Sequence, residues 1–443
     1  MSSFLPLWVC RAHWRIAFHR AVRHDKEHMA REETVVGLDV GTTTVRVLVG
    51  QPAPEPEEKP HILGVGIAPS SGMQRGVVTD IEETIRAVSH ALDAAERMAG
   101  VPIDHAAVSI SGAHMSSMNS RGVIAVSRAD GEISEEDVAR AVGAAQAISL
   151  PSNREILHVI PQHFIVDGQS GITDPRGMTG VRLEVDAHII EGSTPFIRNL
   201  TKCVYQAGVT VSELLFAPLA AARGVLSKRQ KELGVAVLDL GGGTTSLAIF
   251  EDNRLIHTAS IPVGSMHVTN DIAIGLRSSI DVAERIKLEF GSALPDEVKK
   301  SQEINLKNVD AHEEDVSISR RQVSEIIEAR LSEIFSLVNR QLRAIDRAGM
   351  LPAGVILTGG GAKLHGIVDL AKRELRLPAQ LGFPHQLPAV VGTTDDPSFA
   401  VVVGLLLSRM ESAHKQERSP LRALATVGPT VAKLRGWFRT LLP

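Results

Sequence analysis

The sequence is poor in cysteine and in aromatic residues. Its 443 residues include two cysteines and one tyrosine, and phenylalanine, tryptophan and tyrosine together make up 3% of the chain. Cys10 and Cys203 are too few for a disulfide framework, and neither has the CxxC or Cys/His spacing of a metal site. We therefore expect structural thiols in a reducing compartment, which excludes the class of disulfide-rich secreted domains.

Long apolar runs are also missing. The longest candidates, such as residues 401–407, fall short of the roughly 18 apolar residues that a membrane span needs. Near the N-terminus an apolar run at 4–9 precedes its arginines, whereas a secretory signal places its charges first. We expect neither a membrane span nor export. Residues 1–33 are interpreted as an N-terminal extension, of which 1–28 come from an upstream start codon or form an amphipathic anchor.

The overall charge is small. The formal net charge is −4, with 44% hydrophobic and 22% charged residues. This composition is typical of a globular protein, and the length indicates two or more subdomains. A mildly acidic chain has no general attraction for nucleic acid, so we expect no nucleic-acid partner. Contact with an anionic membrane must come from a local basic segment.

One segment of the sequence recurs about 200 residues later. Residues 35–44 read VVGLDVGTTT, and residues 235–244 read VAVLDLGGGT. Each copy is an apolar strand that ends in aspartate, followed by a Gly/Thr turn and a second apolar strand. This pattern predicts a β-hairpin in each copy. The duplication therefore indicates two related domains.

The two turns carry groups that bind phosphate. Glycine amides and threonine hydroxyls can donate to phosphate oxygens, and a pair of carboxylates can hold a hydrated Mg²⁺. One such turn alone would fit an ordinary hairpin, but two copies favour a nucleotide. The candidate ligands are Asp39, Gly41, Thr42, Thr43, Thr44, Asp239, Gly241, Gly242, Gly243 and Thr244. Asp39 and Asp239 are expected to contact Mg²⁺ through water.

Two further elements fit the sugar and base of a nucleotide. Residues 355–362 read VILTGGGA, a strand that leads into glycines before a helix expected near Leu364. The same glycines would also fit tight helix packing. Residues 284 and 287 stand three apart on a predicted helix, where they either pair with each other or reach ribose and base. The candidate ligands here are Glu284, Lys287, Gly359, Gly360 and Gly361.

In this order the four elements resemble the superfamily of actin, sugar kinases and DnaK-type ATPases. Within it, the strings HVIPQ at 158–162, GMTGVR at 177–182 and LDLGGGT at 238–244 resemble the FtsA family of bacterial cell division proteins. The resemblance covers residues 34–408. It implies an α/β fold of duplicated actin-like (ribonuclease H-like) domains that binds ATP and Mg²⁺, with an FtsA-type α+β insert and a C-terminal amphipathic helix.

The resemblance and the composition together predict a domain organisation. We expect a first actin-like subdomain at 34–105 and 190–232, an SHS2-type insert at 106–189, a second actin-like core at 233–264 and 350–409, a helical FtsZ-binding subdomain at 265–349, a linker at 410–430 and a membrane-targeting helix at 431–443. Long helical patterns are expected at 81–99, 265–290 and 319–348.

One departure from the superfamily bears on hydrolysis. Relatives of the MreB and DnaK types place a glutamate before the proline of a Glu-Pro-x-Ala-Ala helix to orient water, and Ala217 stands in that place here. Positioning is much of what such enzymes contribute to phosphoryl transfer. We predict ATP binding with slow or undetectable hydrolysis, in which Asp239 or another residue would have to act as the catalytic group.

The last thirteen residues have an amphipathic helical pattern. At 100° per residue the apolar side chains fall within roughly 140° and the cations occupy the remaining arc, as in an interfacial membrane helix. Docking on the protein's own core is the alternative. The candidate membrane contacts are Leu434, Trp437, Phe438, Leu441, Leu442, Lys433, Arg435 and Arg439.

The resemblance also implies partners. Residues 324–334 resemble the FtsA segment that receives the C-terminal peptide of FtsZ, with Arg330 and Glu333 as contacts, although the family has proline where Ala329 stands. A surface helix with solvated charges is the alternative. The implied function is to anchor FtsZ filaments to the cytoplasmic face of the inner membrane at the septum. It includes Z-ring assembly, actin-like filament formation and recruitment of later division proteins through the insert.

Three other functions share this fold. A small-molecule kinase would need a catalytic base that the sequence does not reveal, and it would not explain the amphipathic end. A PilM-like adaptor of pilus assembly shares the core and the insert, and those relatives generally lack the terminal helix. An MreB-like cytoskeletal protein is disfavoured by the insert.

Overall fold

The computed structural model describes residues 34–52, 60–312, 315–384 and 396–417. The expected extension at 1–33 and the expected terminal helix at 431–443 lie outside the described residues. The strands are β1 (Val35–Val40), β2 (Thr44–Gln51), β3 (His61–Pro69), β4 (Met73–Gln74), β5 (Val77–Val78), β6 (His105–Ile110), β7 (Ser116–Ala125), β8 (Arg154–Val166), β9 (Gln169–Ile172), β10 (Arg182–Ser193), β11 (Thr210–Phe216), β12 (Val235–Leu240), β13 (Thr245–Glu251), β14 (Arg254–Ile261), β15 (Glu303–Asn305), β16 (Ser317–Ser319), β17 (Val355–Thr358) and β18 (Ala379–Leu381).

Helices alternate with these strands and cover their faces. They are α1 (Ile81–Ala99), α2 (Glu135–Ala145), α3 (Thr194–Gln206), α4 (Ala217–Val225), α5 (Lys228–Leu233), α6 (Ser265–Leu276), α7 (Ile280–Phe290), α8 (Leu306–Val309), α9 (Arg320–Ala344), α10 (Ile367–Leu375) and α11 (Ala400–Glu417). Within the described ranges, none of these helices has the length and apolar content that crossing a membrane requires.

Two five-stranded sheets form the centres of the two related domains. The first has the order β11-β6-β1-β2-β3 and the second the order β14-β13-β12-β17-β18. In each, the repeated strand forms an antiparallel hairpin on one side and pairs in parallel on the other. β1 and β12 are nearly continuous apolar runs because both faces are covered. The structure thus confirms the α/β fold with duplicated domains.

The insert is a separate layer with its own core. Its sheet has the order β7-β10-β8-β9, and α2 packs on it. Ser134 is the N-cap of α2 and forms a capping box with Asp137. The expected start of the insert at residue 106 is wrong. β6 is a buried inner strand of the first sheet between β1 and β11, so the insert begins after Ile110.

The insert also contacts the second domain along the edge strand β14. The Ser117 hydroxyl donates to the carbonyl of Thr258 at 2.8 Å, and the Gln162 amide donates to the carbonyl of Leu255 at 2.9 Å. Buried His188 donates from Nδ1 to Asn119 Oδ1 at 2.7 Å and accepts from the Thr258 hydroxyl at 2.9 Å. Burial and nearby His257 lower the pKa of His188 to about 4, so it remains neutral.

The helical part of the second domain differs in detail from the sequence pattern. The predicted helix at 81–99 is confirmed as α1, whereas the helical pattern at 265–290 is helical with one interruption. It is broken into α6 and α7 because Arg277 takes a left-handed conformation and the Ser279 hydroxyl caps the second helix. The helix expected from 319 to 348 ends at Ala344, and the one expected near Leu364 begins at Ile367.

The last described helix, α11, belongs to the first domain by its contacts. It packs on α4 and on the first sheet, and it continues to Glu417. The expected linker start at 410 is therefore wrong. The Arg223 guanidinium on α4 pairs with Glu411 at 3.3 Å and donates to the Ser408 hydroxyl at 2.6 Å, which favours a longer helix.

We predict that Gly404→Ala destabilises the protein. A Cβ at Gly404 would lie 1.7 Å from the carbonyl oxygen of Ala220, so α4 and α11 would have to separate. We expect a loss of about 2 kcal/mol or more, seen as a lower thermal midpoint. Gly143→Ala is the control, because exposed Gly143 in α2 has open space at its Cβ. It should gain about 0.5–1 kcal/mol. Equal midpoints for Gly404→Ala and the parent would contradict the close helix contact.

Candidate functional site

The two repeated hairpins close their turns in the same way. In the first, Gly41 N–H donates to Thr44 O at 3.1 Å, and in the second, Gly241 N–H donates to Thr244 O at 2.9 Å. Asp39 pairs across the sheet with Arg46, and Asp239 pairs with Ser246. Each aspartate therefore stands one residue before the end of its strand, directly beneath a compact turn.

The structure brings the two turns into contact with each other. A Cβ placed on Gly242 would lie 2.5 Å from Thr43 Cγ2, and one on Gly243 would lie 2.8 Å from Thr42 Oγ1. Only glycine allows this approach of the second turn to the first. The candidate phosphate ligands of the two halves of the chain thus lie next to each other, and their binding of one nucleotide stays a prediction.

The two carboxylates lie in the same buried region. Ser109 on β6 donates its hydroxyl to Asp39 Oδ1 at 2.6 Å. Burial raises the pKa of Asp39, against the hydrogen bond from Ser109 and the charge of Arg46. Burial and the charge on Asp39 raise the pKa of Asp239 to about 7. A positive charge close to the two carboxylates would therefore be favourable.

Gly359 fits tightly against the second carboxylate. It follows β17 with φ +84°, and a Cβ there would lie 2.4 Å from Asp239 Oδ1. Gly360 and Gly361 continue as a short 3₁₀ turn, and a Cβ on Gly361 would lie 2.9 Å from Leu240 O. The glycine turn is therefore needed for packing against the repeated strand, and two of its residues also line the cavity described next.

A cavity of about 1070 Å³ opens between the two domains. Its wall includes these residues singled out from the sequence: Thr42, Thr43, Thr44, Glu284, Lys287, Gly360 and Gly361. The remaining candidates are not part of the wall: Asp39, Gly41, Asp239, Gly241, Gly242, Gly243, Thr244 and Gly359. Of these, Gly242 and Gly243 touch the wall through Thr43 and Thr42. The cavity is large enough for a nucleotide.

Glu284 and Lys287 lie at another part of the cavity wall. Buried Lys287 Nζ pairs with Glu284 Oε2 at 2.6 Å and donates to the Thr269 hydroxyl at 2.9 Å. The two side chains pair with each other and also face the cavity, so their contact with ribose and base stays a prediction. The partly exposed Glu284 carboxylate can accept from a hydroxyl or amino group of a ligand.

Two cavity residues escaped the sequence analysis. Arg46 on β2 and Ser70 after β3 both line the cavity, and Arg46 Nε and Ser70 Oγ are buried without a hydrogen-bond partner in the described residues. Such orphaned donors are uncommon, and an anionic ligand would satisfy both. Arg46 could have been noticed as the one cation in an otherwise apolar strand that follows the first turn. Ser70 has no sequence signal.

The donor set suits a polyphosphate with a divalent cation. Backbone amides, threonine hydroxyls and Arg46 can bind phosphate oxygens, and the paired carboxylates can hold the waters of Mg²⁺. Over the described ranges there is no cluster of three or more His, Cys, Asp or Glu side chains that could hold a metal alone. The cation would therefore share its ligands with water and phosphate.

Arg330 lies in a different environment from the one expected. Its guanidinium donates to both carboxylate oxygens of Asp271 on α6, at 2.6 and 2.9 Å, and it also pairs with Glu333. The Asp271 pair spans 59 residues of sequence, which helical spacing cannot predict. An acidic partner at Arg330 would have to share or displace Asp271.

Comparison with known proteins decides the family. A family model described as "Cell division protein FtsA" matches residues 236–404, and one described as "SHS2 domain inserted in FTSA" matches residues 112–191. The chain is 38% identical to cell division protein FtsA of Pseudomonas aeruginosa over 373 residues, 84% of this chain and 88% of that protein. The chain belongs to the FtsA family.

Other FtsA proteins match over similar lengths. Identity to the Bacillus subtilis protein is 38% over 390 residues, which are 88% of this chain and 86% of that protein. Identity to the Escherichia coli K12 protein is 35% over 413 residues, or 91% and 97%. The match to the insert begins at residue 112, in agreement with the boundary seen after β6.

Solved structures place the fold among actin-like ATPases. The PilM–PilN type IV pilus biogenesis complex has a TM-score of 0.63 at 16% identity, covering 85% of this chain and 98% of that chain. MreB5 of Spiroplasma citri bound to ADP has a TM-score of 0.52 at 18% identity, covering 87% and 99%. These likenesses concern the fold and do not favour a pilus or cytoskeletal function for this chain.

We predict that Asp239→Asn stabilises the protein in the absence of nucleotide and removes the stabilisation that magnesium and ATP would give. The neutral amide ends the repulsion between two buried carboxylates, so the thermal midpoint without nucleotide should rise by about 2 °C or more. The same change removes a contact of the hydrated cation, so the increase in midpoint on adding magnesium and ATP should be lost.

The matched control for this variant is Asp281→Asn. Asp281 is an exposed carboxylate of the same cavity wall. It should keep the parent midpoint and the parent response, as measured by differential scanning fluorimetry. An Asp239→Asn protein that melts lower than the parent and still responds to magnesium and ATP would contradict the paired-carboxylate site.

Proposed function

We propose that this protein binds ATP and links FtsZ filaments to the cytoplasmic face of the inner membrane during cell division. The observation that carries the proposal is the contact between two aspartate-bearing turns, the first of which lines the cavity, in a chain of the FtsA family. Family membership supports the division function, and the paired turns support the nucleotide. Z-ring assembly and recruitment of later division proteins through the insert belong to the same proposal.

The nucleotide would lie across the cavity with its phosphates at the two turns. Thr42 and Thr43 would donate to phosphate oxygens and Arg46 would balance their charge. Asp39 and Asp239 would hold water molecules of Mg²⁺, which neutralises charge on the phosphates. The solved MreB5 structure of the same fold contains ADP, which is consistent with a nucleotide here.

Hydrolysis should be slow. Ala217 begins α4 in a buried position, and the first turn of that helix has no acidic side chain to orient water. The partly neutral Asp239 is the remaining candidate for such a role. We infer that nucleotide acts chiefly as a ligand that stabilises a closed, assembly-competent form, which supports actin-like filaments.

The FtsZ peptide is proposed to bind at α6 and α9. Arg330 presents a planar guanidinium, which can hold a carboxylate through two hydrogen bonds. Asp271 already uses that geometry, and exposed Ile274, one turn further along α6, offers an apolar contact. An acidic peptide would therefore compete with Asp271 for the arginine.

Membrane contact is assigned to residues 431–443, which lie outside the described residues. A single short amphipathic helix binds reversibly, since each cation near an anionic surface adds only about 1 kcal/mol. Filament formation would present many such helices at once and raise the effective concentration. This combination gives a peripheral protein whose membrane residence depends on assembly.

We predict opposite effects of two substitutions on FtsZ peptide binding. Arg330→Ala should weaken binding of a labelled FtsZ C-terminal peptide at least about tenfold, because the charge-assisted hydrogen bonds are lost. Asp271→Asn should tighten binding, because the internal competitor loses its charge. Arg340→Ala, an exposed arginine of the same helix, is the control. Fluorescence anisotropy measures all three. Unchanged binding in Arg330→Ala would contradict the proposed peptide site.

We predict that removal of residues 431–443 abolishes co-sedimentation with anionic vesicles. The truncated protein should still bind the FtsZ peptide with the parent affinity, which shows that the core remains folded. Vesicles of neutral lipid are the control for the contribution of the cations. If the truncated protein pellets with anionic vesicles as the full chain does, the proposed membrane attachment is wrong.

A further inference from the structure

The segment between β3 and α1 crosses the place where the two phosphate turns meet. It runs from Ser70 to Asp80 and folds into the small hairpin of β4 and β5, with Arg75 and Gly76 as its two turn residues. Both have positive φ, +50° and +75°, as a tight two-residue hairpin turn requires. The backbone at the tip of this hairpin therefore forms a tight turn of defined geometry.

Ser70 joins this segment to the first phosphate turn. Its backbone N–H donates to Thr43 O at 3.0 Å. Its side chain lines the cavity, and the buried hydroxyl has no partner in the described residues. Burying a hydroxyl without a hydrogen bond is costly, so a ligand atom that accepts from it would be favoured.

The hairpin tip contacts both phosphate turns. Gly76 N–H donates to the Thr42 hydroxyl at 3.2 Å, which fixes the orientation of that side chain. A Cβ on Gly243 would lie 2.8 Å from Arg75 N and equally far from Thr42 Oγ1. The tip thus lies at the junction of the two turns. With the base at Glu284 and Lys287, as the sequence predicts, the last phosphate would be the one held at this junction.

The other side of the tip rests on the first connection to the insert. A Cβ on Gly76 would lie 2.6 Å from Gly112 Cα, and Gly112 has φ +131°. Gly112 follows β6 and leads into the insert. Arg154 of the insert pairs with Glu191 at 2.8 Å and donates to His114 O at 3.0 Å, so it joins the two connections. A shift of the tip would therefore move the hinge of the insert.

The base of the segment is fixed more firmly than its tip. The carbonyl of Gly72 accepts from Thr79 N–H at 2.9 Å, from Asp80 N–H at 3.1 Å and from the Thr84 hydroxyl at 3.1 Å. These bonds tie the base to the N-terminus of α1. A shift at the phosphate turns would therefore displace the tip and Gly112 more easily than the base.

We propose that Ser70 contacts the terminal phosphate of a bound nucleoside triphosphate, and that the segment from Ser70 to Gly76 passes this contact to the insert hinge at Gly112. The proposal rests on nucleotide binding as proposed above. It makes Ser70 the residue that distinguishes a triphosphate from a diphosphate. It also gives the insert, which contacts β14 of the second domain, a direct connection to the occupant of the site.

The test compares Ser70→Ala with Ser71→Ala in the full chain. Ser71 is the matched control because its hydroxyl already donates to Glu83 Oε2 at 3.0 Å on the exposed side. Affinities for ATP and ADP with magnesium are measured by titration calorimetry. Hydrogen–deuterium exchange of a peptide covering residues 111–116 is measured with each nucleotide at saturation.

We expect Ser70→Ala to lose about tenfold in ATP affinity and to keep its ADP affinity within about twofold. In the parent and in Ser71→Ala, ATP should slow exchange at 111–116 relative to ADP, and in Ser70→Ala the two nucleotides should give the same exchange. If the ratio of ATP to ADP affinity in Ser70→Ala equals that of the parent protein, the proposed phosphate contact is wrong. A persistent ATP effect on exchange in Ser70→Ala overturns the relay. A parent protein that binds neither nucleotide overturns the proposed function itself.

Discussion

The closeness of Asp39 and Asp239 is the constraint on which the rest of the structure depends. Two sheets with the same hairpin bring the two carboxylates together, and burial and the charge on Asp39 raise the pKa of Asp239 to about 7. The Ser109 hydroxyl and the charge of Arg46 lower the pKa of Asp39 and so offset part of the cost of burying that carboxylate. A divalent cation with a polyphosphate would offset the remainder, because the cation neutralises the acids while the amides, threonines and Arg46 neutralise the phosphates. Filling such a site would add to the stability of the contact between the two domains.

The contacts around the two turns explain why filling the site could affect distant parts of the molecule. Ser265 and Met266, at the start of α6, donate their amides to the carbonyls of Gly241 and Gly242 at 2.9 and 2.8 Å. The same helix carries Asp271, the partner of Arg330. On the other side, the hairpin tip at Gly76 reaches the insert. The second phosphate turn thus leads toward the proposed FtsZ surface, and the first leads toward the insert, through rigid elements in both directions.

The sequence predicted those elements whose formation depends on residues close together in the chain. The repeated hairpins and α1 follow from β-branched runs and apolar periodicity, and the structure has both. The break at Arg277 was missed because Gly275, the nearest glycine, lies inside α6, and the residue that takes the left-handed conformation is an arginine. The start of the insert was misplaced because an apolar strand such as β6 could belong to the insert or to the first sheet. Only its pairing with strands of the first sheet shows where it belongs. The Arg330–Asp271 pair, the His188 network and the orphaned Ser70 hydroxyl depend on residues brought together from distant parts of the chain, which a single sequence does not reveal.

A structure determined with magnesium and a non-hydrolysable ATP analogue tests the paired-carboxylate site most directly. We expect the phosphates to lie between the turns at 41–44 and 241–244, with the cation bound through water to Asp39 and Asp239 and with Arg46 and Ser70 in contact with phosphate oxygens. A nucleotide bound elsewhere in the cavity, or bound with both carboxylates remote from the cation, would contradict the role assigned to the duplication.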